Sequence, residues 1–201
     1  MSIKLIVFDL DGTLIDSAKL HFDAYNLALA KNGYSPISWE DHVGKFDGVP
    51  GHEKLKAVGV DNVARVLTDK SGHFHKLAKN HNFDLPNIID CLQKLRQDGY
   101  LLYIASNADI ATLDTVFIHS RFSEFIDKSF CVSDIAWPKP NPQIYLKCMY
   151  EAGIGPWETL IVEDSNVGII AAVASGARVV QIKNPFELNY NLIMEEIKPK
   201  W

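Results

Sequence analysis

Two carboxylate pairs stand where apolar runs end. Ile3 to Phe8 leads into Asp9-Leu10-Asp11-Gly12, and Thr159 to Val162 leads into Glu163-Asp164. Alternate residues of an extended chain point to the same side, so Asp9 and Asp11 leave their strand together. Like charges that close repel unless a cation lies between them. A hard divalent cation, most simply Mg²⁺, takes such oxygen ligands and leaves the remaining positions to water. Asp9, Asp11, Glu163 and Asp164 are therefore the candidate metal residues. Two other strand-end segments add to this set. Ser106-Asn107 offers a hydroxyl and an amide that could grip phosphoryl oxygens beside a helix N-terminus. Lys139, between Pro138 and Pro140, offers a fixed ammonium to balance charge on a nucleophile and a transferring phosphoryl group.

Each segment alone also has a plainer reading. Asp-x-Asp-Gly occurs in calcium loops, but Thr13 and Leu14 occupy positions where that loop needs an acid and a glycine. Asp9 to Gly12 also fits a simple turn, Ser106-Asn107 and Glu163-Asp164 also fit helix capping, and Lys139 also fits a surface loop. Their joint placement at strand ends favours a single chemical site.

Bulk properties narrow the classes. The 201 residues carry a net charge of −5, which gives no electrostatic footprint for nucleic acid or an anionic membrane. No apolar run approaches a membrane span, and Lys4 and Asp9 break the N-terminal run before it could serve as a signal peptide. Cys91, Cys131 and Cys148 are widely spaced and lack a CxxC pattern, so free thiols in a cytoplasmic protein are expected. His73, His75 and His81 have no acid or cysteine to complete a metal cluster and read as a solvated helix face.

The elements that must position these residues follow from periodicity. Ser17 to Asn32 has helical spacing closed by Gly33, and Trp39 to Gly59 holds two short helical pieces around the loop 44–51. Asn62 to Asn82 predicts a helix kinked near Gly72. From Leu85 onward, strands at Tyr100–Ala105, Lys128–Val132, Thr159–Val162 and Arg178–Ile182 alternate with helices, the last at Glu187–Ile197. That alternation predicts an α/β fold: a doubly wound, Rossmann-like parallel sheet core interrupted after its first strand by an inserted α-helical cap. The expected core is 1–15 and 84–201, and the expected cap is 16–83. In such sheets ligands lie beyond the carboxyl ends of the strands, where the four polar segments fall.

Taken together, Asp9-Leu10-Asp11-Gly12-Thr13, Ser106-Asn107, Lys139 with Pro140 and Pro142, and Glu163-Asp164-Ser165 with Gly168 resemble the haloacid dehalogenase superfamily. The resemblance spans nearly the whole chain and is nearest to the β-phosphoglucomutase-like and phosphoglycolate-phosphatase-like branch. It implies a Mg²⁺-dependent phosphatase acting on a small phosphorylated metabolite. Asp9 would be the nucleophile that forms an aspartyl-phosphate, and Asp11 the acid and base. Ser106 and Lys139 would position the phosphoryl group. The metal would be held by Asp9, the Asp11 carbonyl and Asp164, with Glu163 acting through water. An ordinary Asp has a pKa of about 3.9, so Asp11 is expected to gain its proton from a closed, desolvated site or from solvent when the cap opens. The helical insert would act as a lid hinged near residues 13–16 and 83–86. His21 would lie near Asp11, and Asn107, Lys45 and His52 would contact substrate, with Lys54 a further candidate. In the mutase branch an arginine of the cap loop holds a second phosphate; here Gly51 stands at that position, which ranks sugar-phosphate mutase activity below hydrolysis. A monomer or weak homodimer is expected, with neither nucleic acid nor membrane as partner.

Overall fold

The computed structural model describes residues 2–198; residues 1 and 199–201 of the expected core lie outside the described residues. Among the described residues, β1 (Leu5–Phe8), β2 (Leu101–Ala105), β3 (Lys128–Phe130), β4 (Thr159–Glu163) and β5 (Arg178–Gln181) form one parallel sheet in the order β3-β2-β1-β4-β5. β1 is central, with Phe8 paired to Ile104 on one side and to Val162 on the other. The chain winds outward from β1 first towards β3, then towards β5. The two halves part beside β1, at the switch point where α/β sheets hold ligands. The register brings Asp9, Ser106 and Glu163 to the same rim.

Alternate residues of β1 feed opposite cores. Ile6 and Phe8 join Leu102, Ile104, Leu160 and Val162 beneath α5 (Pro86–Gln97), α6 (Ile110–Ile118) and α9 (Tyr190–Ile197). Leu5 and Val7 join Tyr103, Ala105 and Ile161 beneath α7 (Gln143–Ala152) and α8 (Asn166–Ala174). With both faces covered, all four residues of β1 are buried, which is why its sequence is apolar throughout.

Between β1 and α5 the described chain forms helices and no strand: α1 (Ala18–Lys31), α2 (Trp39–Val43), α3 (Gly51–Ala57) and α4 (Val63–Ala78). They enclose a separate apolar cluster that includes Tyr25, Leu29, Phe46, Leu55 and Val66. Ala24, Phe74 and Ala78 turn instead towards the sheet-side core.

Several local expectations change. α4 runs uninterrupted through Gly72, because Val66, Lys70, Phe74 and Ala78 bury one continuous face whose packing offsets glycine's low helix propensity. β3 stops at Phe130, and the Cys131 N–H turns to the Asp134 carboxylate (2.8 Å) rather than to a neighbouring strand. Glu163 and Asp164 do not cap α8; the Ser165 hydroxyl does, accepting from Gly168 N–H at 3.1 Å. The last helix starts at Tyr190 because Asn189 caps it. All three cysteines are free and buried. Among the described residues, no helix is long and apolar enough to cross a membrane.

Candidate active site

The floor of the site is a buried ion network. Lys139 Nζ lies 2.5 Å from Asp9 Oδ1 and 2.5 Å from Glu163 Oε1, and donates to the Ala105 carbonyl at 2.8 Å. Lys139 is 2% exposed and Glu163 is fully buried. Tyr145, from α7, donates its hydroxyl to the same Glu163 oxygen, while the other carboxylate oxygen accepts from the Asp164 and Ser165 N–H groups. Asp164 in turn accepts from the Thr13 hydroxyl at 2.8 Å. Gly12, at φ +86°, leaves no room for a side chain: a Cβ there would strike the Asp164 carboxylate.

Charge is unbalanced here. Burial raises the Asp9 acid well above its ordinary value; Lys139 opposes this, and Glu163 and Asp164 reinforce it. Burial and then Glu163 push Asp164 up to about 7, against the Thr13 hydrogen bond. Burial alone would lower the Lys139 ammonium, yet Asp9 and Glu163 hold it above its usual range.

Carboxylate oxygens of Asp9, Glu163 and Asp164 lie within 4.8 Å of one another. These three acids share one ammonium, so their ionised forms leave two negative charges uncompensated. A set of hard oxygen donors with that deficit fits a divalent cation such as Mg²⁺.

Asp11 lies one residue-pair further along the rim. Its Oδ1 accepts from the Ser17 hydroxyl and lies 2.8 Å from His21 Nε2. Burial pushes this acid up, as the sequence suggests. The neighbouring His21, the hydrogen bonds from His21 and Ser17, and the Lys70 ammonium outweigh burial and hold the carboxyl below its ordinary range. These neighbours favour the carboxylate of Asp11, which counts against protonation by desolvation and leaves uptake from solvent, the other route expected from the sequence. His21 stacks on Phe74 at 4.6 Å, and its Nδ1 is buried with no partner. Burial and Lys70 lower its pKa, against the pull of Asp11.

A cavity of about 620 Å³ opens above this floor. Asp9, Asp11, Ser106, Asn107, Lys139 and Asp164 line it from below. From the helical side come His21, Tyr25, His42, Asp47, His52, Lys54 and Lys70. Glu163 lies beneath the cavity, behind Lys139. Lys45 is absent from the lining; it is exposed, with its ammonium over the Phe46 ring at 5.0 Å. His52 lines the mouth and is itself exposed. Asn107 spends its amide within the protein: Oδ1 accepts from Lys139 N–H at 3.0 Å, and Nδ2 lies 3.3 Å from both the Lys139 and Gly48 carbonyls. Ser106 Oγ is 2% exposed at the residue level and accepts from Ala108 N–H.

Sequence reasoning missed Tyr145, Asp47 and Lys70. Lys70 did leave a signal, a lysine set at i+4 spacing in the otherwise apolar stripe Val66, Phe74, Ala78. Tyr145 left none, since its partner Glu163 is on a different element.

The family profile of haloacid dehalogenase-like hydrolases matches residues 6–182. The chain is 28% identical over 198 residues to the protein CbbY of Rhodobacter capsulatus, covering 90% of this chain and 85% of that protein. It is 24% identical over 201 residues to the pyrophosphatase PpaX of Bacillus mycoides, covering all of this chain and 92% of that protein. Among solved structures, β-phosphoglucomutase from Clostridium difficile superposes with a TM-score of 0.84 at 20% identity, covering 97% of each chain. The chain belongs to the haloacid dehalogenase-like hydrolases.

Proposed function

We propose that this hydrolase is a Mg²⁺-dependent phosphomonoesterase acting on a small phosphorylated metabolite through an aspartyl-phosphate on Asp9. The observation that carries this reading is the convergence of Asp9, Lys139 and Asp164, with Ser106 and Asp11, on one cavity floor. The pyrophosphatase name of one relative supports phosphoester or phosphoanhydride hydrolysis as the reaction class.

Asp9 and Asp164 would hold the metal directly, and Glu163, whose oxygens already serve Lys139, Tyr145 and Ser165, would support it from behind. The cation, when bound, neutralises the carboxylates and a phosphoryl oxygen. Asp9 attacks phosphorus, the P–O ester bond breaks and its oxygen leaves as the alcohol with the proton from Asp11, splitting one displacement into two. Lys139 holds the nucleophile in place and Ser106 lies where it can donate to a phosphoryl oxygen. Asp11, held ionised by Ser17 and His21, is set as the base that takes a proton from the attacking water. For the first half-reaction it takes up a proton while the site is open to solvent, then passes it to the leaving oxygen.

Helices α1–α4 would be the lid over this floor, with residues 16–83 as the cap and 1–15 and 84–201 as the core. A rival mutase would need a cationic side chain in the cap loop at position 51. A Cβ at Gly51 would lie 2.6 Å from the Tyr25 hydroxyl oxygen and 2.9 Å from Leu67 Cδ2, so a larger residue there would require those side chains to move.

The test is phosphate release from a panel of phosphomonoesters, with and without Mg²⁺, in wild type and Asp9→Asn. Turnover is expected only with metal, and Asp9→Asn is expected to lose roughly three or more orders of magnitude in kcat. Near-normal turnover by Asp9→Asn would rule out the covalent route.

A further inference from the structure

Helix α8 is apolar on both sides. Its residues, Asn166 to Ala174, include no charged side chain. Gly168, Ala171 and Ala172 bury one face against the sheet, while Ile170 and Val173 are 58% and 62% exposed. Helix α7 packs beside it and repeats the pattern. Its Ile144, Tyr145, Cys148 and Met149 are buried, whereas Leu146 and Tyr150, one turn apart, are 46% and 84% exposed. The turn after α7 adds Trp157, 62% exposed. Its neighbour Pro156 lies 3.6 Å from where a Cβ on Gly176, just past α8, would stand. Trp157 therefore sits at the foot of the same surface.

A surface helix ordinarily keeps one polar side for water. Here the sheet covers one apolar side and leaves the other bare. The five side chains expose on the order of 600 Å², the upper end of what monomers show and close to the ~800 Å² per partner of a stable interface. Charge at the rim indicates the occupant. Lys147 and Glu151 stand one turn apart on α7, 3.6 Å from each other, so the face carries both signs. Tyr145 on α7 and Gly168 on α8 both abut Glu163, so the two helices run level and one axis can cross both. A two-fold axis between Leu146 and Tyr150 sets α7 antiparallel to its own copy. Leu146 of one copy then meets Tyr150 of the other, and Lys147 meets Glu151. The same operation brings Ile170 to Val173 across α8. The face is its own complement, whereas a net charge of −5 gives it no attraction to an anionic bilayer.

We propose that the outer faces of α7 and α8 form the contact of a two-fold homodimer, with each helix antiparallel to its own copy. None of the five exposed side chains lines the cavity, so both sites stay open. The opposite faces of these helices hold Tyr145 against Glu163 and Ser165 at the cap of α8, so the dimer backs the floor of each site. None of this depends on the reaction catalysed.

Sedimentation velocity of the full chain over about 1 to 100 μM tests it, with a dimer of twice the 22.5 kDa chain expected and a Kd of roughly 1–10 μM. Ile170→Arg, which would bury an unpaired guanidinium in each copy, should weaken association at least about 100-fold without lowering the thermal midpoint. Should that midpoint fall, Tyr150→Ser carries the same test, with a loss of about tenfold. Lys147→Glu sets like charges across the axis and should cost about tenfold, and Lys147→Glu/Glu151→Lys should restore affinity. A chain that stays monomeric at about 100 μM overturns the proposal; flotation of that monomer with phosphatidylcholine vesicles would assign the face to lipid instead. A dimer left intact by both Ile170→Arg and Tyr150→Ser overturns the assignment to this face. A double charge swap as weak as Lys147→Glu alone overturns the antiparallel register.

Discussion

Lys139 shows how much one side chain can carry. Its ammonium touches Asp9 and Glu163 at once and donates a third hydrogen bond to the Ala105 carbonyl. A buried pair adds little net stability over an apolar replacement of the whole group, but removing one partner strands the others. Lys139→Met is therefore expected to destabilise the protein by about 3–5 kcal/mol in metal-free buffer, read as a lower urea midpoint with unchanged slope. A midpoint equal to wild type would mean that the two acids simply protonate or hydrate at small cost. The same residue illustrates what motif reading can deliver: it is singled out by its company of carboxylates and the family resemblance, whereas the Tyr145 hydroxyl behind it came only with the fold.

At the scale of elements, the cap is a small helical unit that relies on aromatic packing. His42, on α2, stacks on Trp39 at 5.9 Å and meets Phe22 edge-on at 5.6 Å. Its Nε2 donates to the Ala18 carbonyl at 3.2 Å, so Nδ1 carries the bare lone pair and is buried without a partner. Burial, then Lys54 and His21, lower its pKa from 6.5 to about 4, against the opposing pull of the Ala18 carbonyl. The histidine is thus neutral when folded, and the unfolded chain binds the extra proton below pH 6.5. Its contribution to stability is complete above pH 6.5 and is lost as pH falls towards 4. His42→Phe removes that titration. Comparing unfolding free energies above pH 6.5 and near pH 4, wild type should lose roughly 1–2 kcal/mol more than the variant. Parallel pH profiles would show that His42 stays hydrated or charged in the folded state.

Across the whole molecule, cap and core meet through specific polar contacts. Asn107, at the end of β2, grips the Lys139 backbone and also donates to the Gly48 carbonyl of the loop between α2 and α3. Ser71 on α4 donates to Asp109, which caps α6, and His75 meets the Thr115 hydroxyl of α6 at 3.1 Å. Asn107 therefore links loop 44–51 to Lys139, whose ammonium meets Asp9. Asn107→Ala should leave the sheet intact but free loop 44–51, speeding its limited proteolysis roughly fivefold, as loss of a hydrogen bond of about 1 kcal/mol implies. Unchanged nicking would show that the helical seam alone holds the loop in place.

Much of this protein was written locally. The apolar run of β1 and the alternation after Leu85 specify the parallel sheet, and two-residue periodicity with strand-end geometry places Asp9, Asp11, Ser106 and Glu163-Asp164 on one rim. Lys139, which alone reads as a surface lysine in a proline-flanked loop, joins them only through its company of carboxylates and the family resemblance. What tertiary structure decided lies in pairs far apart in the chain: Glu163 with Tyr145, Asp11 with Lys70, Asn107 with Gly48, and Lys54 over Tyr25. The protonation of Asp11 belongs here too, since burial argued one way and its neighbours, once assembled, won. Periodicity reports which face of a helix is buried, because burial depends on each helix's own side chains. It cannot report which distant charge lies across that face, and electrostatic free energy is set by that distance.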